Sequence, residues 1–205
     1  MLIVYGHPDS GHSYKVRLYC VLAGVPHEYR YTDISKPRGS RRADFERDAP
    51  FGEVPTIVDD GMVLAQSNAI LMHLAQKHGA LQGAAGEWPA VTQWLCWEMN
   101  RVGLSVPNLR YYRHVAPGGV PDEVTDWLEH RALADLGVLQ RELSRRDWIL
   151  ASGPTIADLS LSAYLHWADQ AELEIQRWPA VEAWLGRIRA LPGWLPAERL
   201  MAPPT

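Results

Sequence analysis

The sequence contains few cysteines, no long apolar run and no excess of basic charge. Only 2 of its 205 residues are cysteines. Its longest apolar stretches are broken by charged residues, Pro or Gly well short of the ~18 residues that span a bilayer, so a membrane-crossing chain is not expected. Lys and Arg total 20 against 24 Asp and Glu, a formal net charge of -4, and no run of like charge stands out. A nucleic-acid-binding surface is therefore not expected either.

The two cysteines and the N-terminus bear on the chemistry and the location of the protein. Cys20 and Cys96 each lie in an apolar helical pattern and not in a C-x-x-C motif. We therefore expect buried, unreactive thiols and no disulfide, zinc site or cysteine nucleophile. The N-terminal residues 1–6 lack the basic stretch and the small-residue cleavage site of a signal peptide. A cytoplasmic location is the resulting expectation.

Turn residues and hydrophobic periodicity divide the chain into two domains. Residues 1–79 alternate short β-type runs with helical patterns in the order β-α-β-α-β-β-α, with a hairpin turn at 59–61. Residues 80–87 are small, polar and Gly-rich, as in a linker, and residues 88–205 show helical spacing only. The predicted fold class is an α/β domain followed by an all-α domain. Strands are predicted at 2–5, 28–32, 54–58 and 62–64, and helices at 16–23, 43–47 and 67–79.

The first candidate site is the polar loop 6–13 between the first strand and the first helix, with the sequence Gly-His-Pro-Asp-Ser-Gly-His-Ser. A helix N-terminus presents unpaired N–H groups and positive potential, so a thiolate or carboxylate is stabilised there. The Ser10 hydroxyl could donate to such an anion, or Ser10 or Ser13 could simply cap the helix. His7 and His12 have no third ligand or orienting carboxylate at a suitable spacing, so neither a metal site nor a hydrolase is expected.

Two further segments of the first domain have candidate binding chemistry. Glu53 and Val54 precede Pro55, where a cis bond would turn the Val54 backbone groups toward a ligand and a trans bond would be an ordinary strand start. Ser67 is a natural N-cap for the next helix, or it holds a ligand carboxylate together with the Gln66 amide. One small α/β domain would bring these segments and the first loop together.

The helical domain contains a capping motif and many tryptophans. Thr155 and Asp158 have the capping-box spacing, so we interpret them as structural and expect a loss of about 1 kcal/mol or more when either is replaced by Ala. Most of the nine tryptophans are expected to pack between helices. The residues that could line a cleft, or equally belong to the core, are placed on the first long helix after the linker: Trp97, Asn100, Arg101, Tyr111 and Tyr112.

Four segments together make almost the whole chain resemble the cytosolic glutathione transferase superfamily. They are Tyr5-Gly6 with the serine loop running into 14–18, Val54-Pro55, Gln66-Ser67-Asn68-Ala69-Ile70, and the segment 153–158. The resemblance implies a thioredoxin-like N-terminal domain, an all-helical C-terminal domain and a homodimer. It also implies a function in detoxification.

The same resemblance assigns roles to the candidate residues. Val54-Pro55 is similar to the family's Val-cis-Pro, whose Val backbone pairs with the cysteinyl part of glutathione. Gln66 and Ser67 are similar to the pair that holds the γ-glutamyl carboxylate. The serine loop resembles that of bacterial serine- and zeta-type members, in which the hydroxyl at the position of Ser10 lies beside the glutathione sulfur. Ser13 is the competitor for this role.

The implied activity is a glutathione transferase that uses glutathione as co-substrate and no metal. A free thiol has a pKa of about 8.5, so lowering it by about two units, or ~2.7 kcal/mol, makes the thiolate dominant. The thiolate would attack a small apolar electrophile held against the helical domain, through activation and proximity alone. Trp97, Arg101 and Tyr112 are the candidates for this second pocket.

Two alternatives stay open, a zeta-type isomerase of a maleyl-like substrate and a non-catalytic binding protein of the same fold. The serine loop favours the isomerase, although Gly11 and His12 interrupt its Ser-Ser-Cys-Ser signature. Glu53 keeps the binding protein open, because many relatives have Gln or Lys there and an acid at the expected glycyl end could weaken glutathione binding. One of the nearby arginines Arg38, Arg41 and Arg42 could compensate. Gln66 stands where the family often has an acid.

Overall fold

The computed structural model describes residues 1–203 and contains four strands and nine α-helices in that range. The strands are β1 (Leu2–Gly6), β2 (His27–Tyr31), β3 (Thr56–Asp59) and β4 (Met62–Ala65). The helices are α1 (Gly11–Leu22), α2 (Ala43–Asp48), α3 (Ser67–His78), α4 (Trp88–Asn100), α5 (Val102–Arg110), α6 (Asp122–Leu143), α7 (Ile156–Ser162), α8 (Pro179–Arg189) and α9 (Ala197–Leu200). The predicted order of elements in the first domain is confirmed.

The four strands form one mixed sheet in the order β2-β1-β3-β4. β1 pairs in parallel with β2, which places Tyr5 opposite Arg30, and antiparallel with β3, which places Tyr5 opposite Thr56. β3 and β4 form the predicted hairpin. This is the thioredoxin-like arrangement, and β3 begins at Thr56, two residues later than predicted, since Pro55 has no N–H to donate to a ladder. β1 is an inner strand, and the short loop 7–10 connects its end to the start of α1.

The chain divides into two units, one formed by Met1–Gln82 with the described residues from Leu191 onward, the other by Gly83–Ala190. The predicted second domain, 88–205, includes the segment after residue 190. In the structure this segment packs with the first unit instead. The Tyr14 hydroxyl donates to the Leu195 carbonyl at 2.9 Å, and the Tyr29 hydroxyl donates to the Met201 carbonyl at 3.3 Å. Met201 is fully buried. Local sequence periodicity could not predict these contacts, because they join positions that are far apart in the chain.

In the second unit the first long helix is interrupted at Arg101. The backbone there has φ -124° and ψ -104°, outside the helical region, and separates α4 from α5. Two residues later, a Cβ on Gly103 would lie 2.4 Å from the Glu98 carboxylate, so the turn needs glycine at that point. The expectation of one continuous helix from the linker through Tyr112 is therefore wrong. Tyr111–Val115 forms a π-helical turn directly after α5.

The environments of the two cysteines differ, and one differs from the prediction. Cys20 is buried in α1, where burial raises the pKa of its thiol to about 12, so it is unreactive as expected. Cys96 is exposed on α4, and the expectation that it is buried is wrong. It lies on a face of α4 that the other elements of the unit leave uncovered. Among the described residues, no helix is both long and apolar enough to cross a membrane.

The carboxylate of Asp158 is the polar centre of the second unit. Its side chain is fully buried and accepts hydrogen bonds from the Thr155 N–H at 2.9 Å, the Ile149 N–H at 3.0 Å and the Trp184 indole N–H at 2.9 Å. The Thr155 hydroxyl also donates to it at 3.1 Å, and Thr155 and Asp158 together form a capping box at the start of α7. Burial raises the pKa of Asp158 above its usual value although these donors oppose it. The cap therefore ties α7 to α8 and to the segment before α7.

A second buried carboxylate, Asp59, closes the β3–β4 hairpin against α3. It accepts from His73 Nε2 at 2.7 Å and from Lys77 Nζ at 2.7 Å, and its side chain is 5% exposed. Burial raises the pKa of Asp59, but the hydrogen bonds from Lys77 and His73 outweigh it, so the pKa lies below its usual value. A depressed pKa means that this carboxylate stabilises the fold above about pH 3.9 and loses that contribution as the pH falls through the folded pKa.

We therefore expect Asp59→Asn to lower the free energy of unfolding by about 1–2 kcal/mol at neutral pH, because a buried charge-assisted acceptor is lost. The difference from the wild-type protein should shrink as the pH falls through the lowered pKa of Asp59, because the wild-type carboxylate then becomes protonated. Urea unfolding at several pH values measures it. Asp126→Asn is the matched control, since Asp126 is exposed on α6. A difference that stays constant down to acid pH would contradict this account.

Candidate active site

Ser10 caps the N-terminus of α1. Its Oγ accepts a hydrogen bond from the Ser13 N–H at 3.1 Å, and its carbonyl accepts the Tyr14 N–H at 2.9 Å. Because the hydroxyl uses a lone pair for the cap, its proton stays available for an incoming anion. Ser10 is 8% exposed, so the hydroxyl sits at the helix end with little water around it. The two roles that the sequence offered for Ser10 are compatible in this geometry.

Ser13 occupies a different environment from Ser10. It is fully buried, and a Cβ placed on Gly6 would lie 3.0 Å from the Ser13 Cβ and 3.2 Å from the Met201 methyl group. Its side chain therefore packs between α1, β1 and the C-terminal segment. Within residues 1–203 the Ser13 hydroxyl has no hydrogen-bond partner. Its hydroxyl lies in the core of the unit and not in the open loop.

The two histidines of the loop have structural contacts. His7 Nδ1 accepts the Asp9 N–H at 3.2 Å, and burial lowers the pKa of His7, which favours a neutral ring. His12 Nδ1 lies 3.5 Å from the Ser67 hydroxyl, so the starts of α1 and α3 are side by side. Across the described part of the chain, no group of three or more His, Cys, Asp or Glu side chains is arranged to hold a metal ion.

The start of α3 has a special backbone. Gln66 stands at the N-cap position with φ 68° and ψ 110°, and no side chain caps the helix. The interpretation of Ser67 as N-cap is therefore wrong, because Ser67 is already the first helical residue. A left-handed conformation in a residue other than glycine costs about 1–3 kcal/mol and is concentrated at functional sites. The N–H groups at this uncapped helix start are donors that could bind an anion.

An open pocket of about 590 Å³ lies beside the start of α3, lined by Arg38, Pro50, Phe51, Glu53 and Gln66. Gln66 Nε2 donates to Glu53 Oε2 at 3.4 Å. The Arg38 guanidinium donates to the Phe51 carbonyl. The peptide bond between Val54 and Pro55, which follow Glu53, is cis.

The pocket distinguishes among the three arginines that the sequence left open. Arg38 lines the pocket, and a Cβ placed on Gly52 would lie 2.8 Å from Arg38 Nε. Arg41 donates to the Gly52 carbonyl at 2.6 Å, and Arg42 pairs with Asp44 at 2.6 Å. Arg41 and Arg42 are thus occupied by the loop itself, and Arg38 is the arginine at the pocket.

The candidates for the second-substrate pocket are spread over three segments of the second unit. Trp97 lies on α4 and packs edge-on against Trp94, with ring centroids 5.3 Å apart. Arg101 lies at the helix break, where its guanidinium is 3.9 Å from Asp135. Tyr112 lies in the π-helical turn. Their role in binding stays a prediction.

Family models match both units of the chain. The N-terminal domain of glutathione S-transferase matches residues 1–76, and the C-terminal domain of glutathione S-transferase matches residues 121–187. The chain belongs to the cytosolic glutathione S-transferase superfamily. A crystal structure of a glutathione S-transferase from Xanthobacter autotrophicus Py2 is 33% identical, with a TM-score of 0.85 over 95% of this chain and 96% of that chain.

Two curated relatives of this glutathione S-transferase superfamily member carry more specific names. The Disulfide-bond oxidoreductase YfcG of Escherichia coli (strain K12) is 29% identical over 202 residues, which is 94% of this chain and 92% of that protein. A Probable maleylacetoacetate isomerase of Vibrio cholerae is 26% identical over 203 residues, covering 96% of this chain and 94% of that protein. The superfamily is shared, whereas the named reactions differ.

Sequence reasoning missed two features of this glutathione S-transferase fold. The left-handed conformation of Gln66 has no sequence signal, because glutamine is not a residue that favours it. The contact between Glu53 and Gln66 was also not predicted, although each residue by itself differs from the pattern that the resemblance implies. The pocket that they share could not be predicted from the sequence, because it depends on the β3–β4 hairpin that brings the two residues together.

Proposed function

We propose that this protein is a glutathione transferase that stabilises the thiolate of glutathione and directs it to a small apolar electrophile. The observation that carries the proposal is the Ser10 hydroxyl, which caps α1 through its oxygen and keeps its proton for a ligand. A serine at a helix N-terminus supplies a hydrogen-bond donor and positive potential to one anion. As implied by the family, we propose a cytoplasmic homodimer that functions in detoxification.

The rest of glutathione fits the same unit. The γ-glutamyl carboxylate is proposed to bind the uncapped start of α3 at Gln66 and Ser67. The backbone of Val54, before the cis bond to Pro55, is proposed to pair with the cysteinyl residue. The contact of His12 with Ser67 supports this assignment, because it brings the starts of α1 and α3 to one side of the unit. The electrophile is proposed to bind near Trp97, Arg101 and Tyr112.

The experiment that tests the proposal is a glutathione titration followed by the ultraviolet absorbance of the thiolate over a pH series. We expect the apparent pKa of the bound thiol to fall from about 8.5 to about 6.5, which corresponds to ~2.7 kcal/mol of thiolate stabilisation. S-methylglutathione, which has no ionisable thiol, is the blank for protein absorbance. If bound glutathione kept its thiol protonated at neutral pH, the result would refute the proposed transferase activity and favour a non-catalytic binding protein.

The name of the YfcG relative supports a second candidate, glutathione-dependent reduction of disulfides. In that reaction the same thiolate attacks one sulfur of a disulfide, a mixed disulfide forms and the other sulfur leaves as a thiolate. A second glutathione would then release the product thiol and leave oxidised glutathione. Such a reaction needs no protein cysteine, because both thiols that react come from glutathione. Steady-state rates with an aryl halide, a small disulfide and a maleyl compound separate transferase, reductase and isomerase.

A further inference from the structure

A further pocket lies within the second unit, between the end of α6 and one face of α8, and has a volume of about 340 Å³. The charged residues that line it are Arg145, Arg146, Arg187 and Asp147. We propose that this α6–α8 pocket is a binding site for a small phosphate monoester, whose dianionic phosphate group is held by Arg145 and Arg187. The proposal concerns the second unit alone and does not depend on the proposed glutathione transferase activity.

The shape of the α6–α8 pocket depends on small residues in α8. Ala180, Ala183 and Arg187 are spaced by three and then four positions, so they lie on one face of the helix. The two methyl side chains leave space beside the helix, and the long Arg187 side chain lies one turn beyond them. The opposite wall is formed by the end of α6 and the segment 144–147. The pocket is therefore a groove between a helix face and a loop.

The three arginines of the pocket differ in their existing partners. Arg146 pairs with Glu142 on α6, so its charge is already neutralised. Arg187 contacts Asp147. Among residues 1–203, the guanidinium of Arg145 forms no ion pair and no hydrogen bond, and this residue is exposed at the pocket. Arg145 and Arg187 therefore share one carboxylate, and the pair has an excess of positive charge.

Arg187 is held in place by only part of its guanidinium. Its Nε donates to the Asp147 carbonyl at 2.9 Å, and its Nη1 lies 3.5 Å from the Asp147 carboxylate, which is 79% exposed. An ion pair with so exposed a carboxylate is weak, so a ligand anion can replace the carboxylate at Nη1. The hydrogen bond from Nε would keep the guanidinium in position during that exchange.

The arrangement favours a doubly charged, tetrahedral oxyanion as the ligand. Arg145 and Arg187 offer two guanidinium groups, each of which can donate two parallel hydrogen bonds to phosphate oxygens. A carboxylate has one negative charge and two oxygens, so it would leave one of the two arginines without a partner. In the described part of the chain, the pocket lining includes no aromatic ring on which a nucleobase could stack. A small phosphate monoester is therefore favoured over a nucleotide.

Ligand binding should also stabilise the second unit. The wall formed by residues 144–147 leads directly to Ile149, whose N–H donates to Asp158, and Trp184 of α8 donates to the same carboxylate. A phosphate group between Arg145 and Arg187 would add a second link between these two segments. Because the ligand binds only the folded protein, it should raise the melting temperature once its concentration exceeds the dissociation constant.

The experiment is a calorimetric titration of the full-length protein with glycerol 3-phosphate at about pH 8 and constant ionic strength, with thermal melting in parallel. At this pH the phosphate group is doubly charged. We expect saturable binding to one site and a higher melting temperature. Inorganic phosphate should bind to the same site through the same two arginines. Glycerol, and glycerate with its single negative charge, should bind at least about tenfold more weakly than glycerol 3-phosphate.

Four variants test the pocket residues. Arg145→Gln and Arg187→Gln should each weaken the binding of glycerol 3-phosphate about tenfold, because each removes a charge-assisted pair. Asp147→Asn should strengthen it about threefold, because the carboxylate that competes for Arg187 is removed. Ala183→Leu changes no charge, and it should abolish binding by filling the groove. Arg177→Gln is the matched control for the change in charge, since Arg177 is exposed and lies outside the pocket.

Arg145, Asp147 and Ala183 are exposed, so their variants should fold, which thermal melting without ligand verifies. An equal loss of affinity in Arg177→Gln and Arg145→Gln would show attraction by net charge alone and would overturn the proposal. A wild-type protein that binds neither phosphate compound saturably would also overturn it. Neither result would bear on the proposed transferase activity, which the glutathione titration tests separately.

Discussion

Replacing Ser10 with Ala should raise the pKa of the bound glutathione thiol by about 1–2 units and lower kcat/KM about 100-fold, as expected when one preorganised donor to a developing or resting anion is removed. The same substitution removes the α1 cap, which costs about 1 kcal/mol of stability. Ser10→Gly separates the two effects, because glycine serves nearly as well as an N-cap and has no hydroxyl. Activity should be lost in both variants, and stability mainly in Ser10→Ala.

The competing assignment is tested by Ser13→Ala. The Ser13 hydroxyl is buried without a hydrogen-bond partner in the described residues, so its removal should leave the thiol pKa unchanged and should not destabilise the fold. Ser10→Thr keeps a hydroxyl and a capping oxygen and should retain part of the activity. If Ser13→Ala lost the thiolate absorbance and Ser10→Ala kept it, the catalytic assignment would move from Ser10 to Ser13.

Replacing Asp158 with Ala should cause the largest loss of stability, about 3–5 kcal/mol, because four donors lose a buried acceptor together. They are the N–H groups of Ile149 and Thr155, the Thr155 hydroxyl and the Trp184 indole. A domain is typically stable by about 5–15 kcal/mol, so this variant should be close to unfolding at ambient temperature. Thermal and urea unfolding measure it.

The other capping residue provides a graded comparison. Thr155→Ala removes one hydroxyl from the box and should cost about 1–2 kcal/mol, less than the loss of the carboxylate. In both variants the kcat of the fraction that remains folded should match the wild-type value, because the role of the box is structural. A stable Asp158→Ala protein without activity would instead assign the carboxylate to catalysis.

Local patterns in the sequence predicted the local parts of the structure. The alternation of strands and helices, the hairpin and the capping box at Thr155 each depend on residues within a few positions of one another, and each is present. The superfamily could be predicted because several such segments occur in the right order. The serine loop likewise indicated Ser10 without deciding between capping and ligand binding.

The features that could not be predicted depend on contacts between distant positions. Cys96 lies in an apolar helical pattern, yet which face of α4 is covered depends on its packing partners. Arg38, Arg41 and Arg42 are equivalent in sequence, and only the path of their loop assigns one of them to the pocket. The contact between Glu53 and Gln66 exists because the β3–β4 hairpin folds back on itself.

The last helix of the first unit, α9, follows the second unit in the chain, and this order affects biosynthesis. Nascent chains generally fold from the N-terminus as domains emerge, but here Tyr14 and Tyr29 donate to the carbonyls of Leu195 and Met201, which are synthesised only after the whole second unit. In a ribosome-bound intermediate that ends at Gln82, the surface of the first unit that Met201 covers would stay exposed. The first unit can therefore complete its packing only after the helical unit has been synthesised.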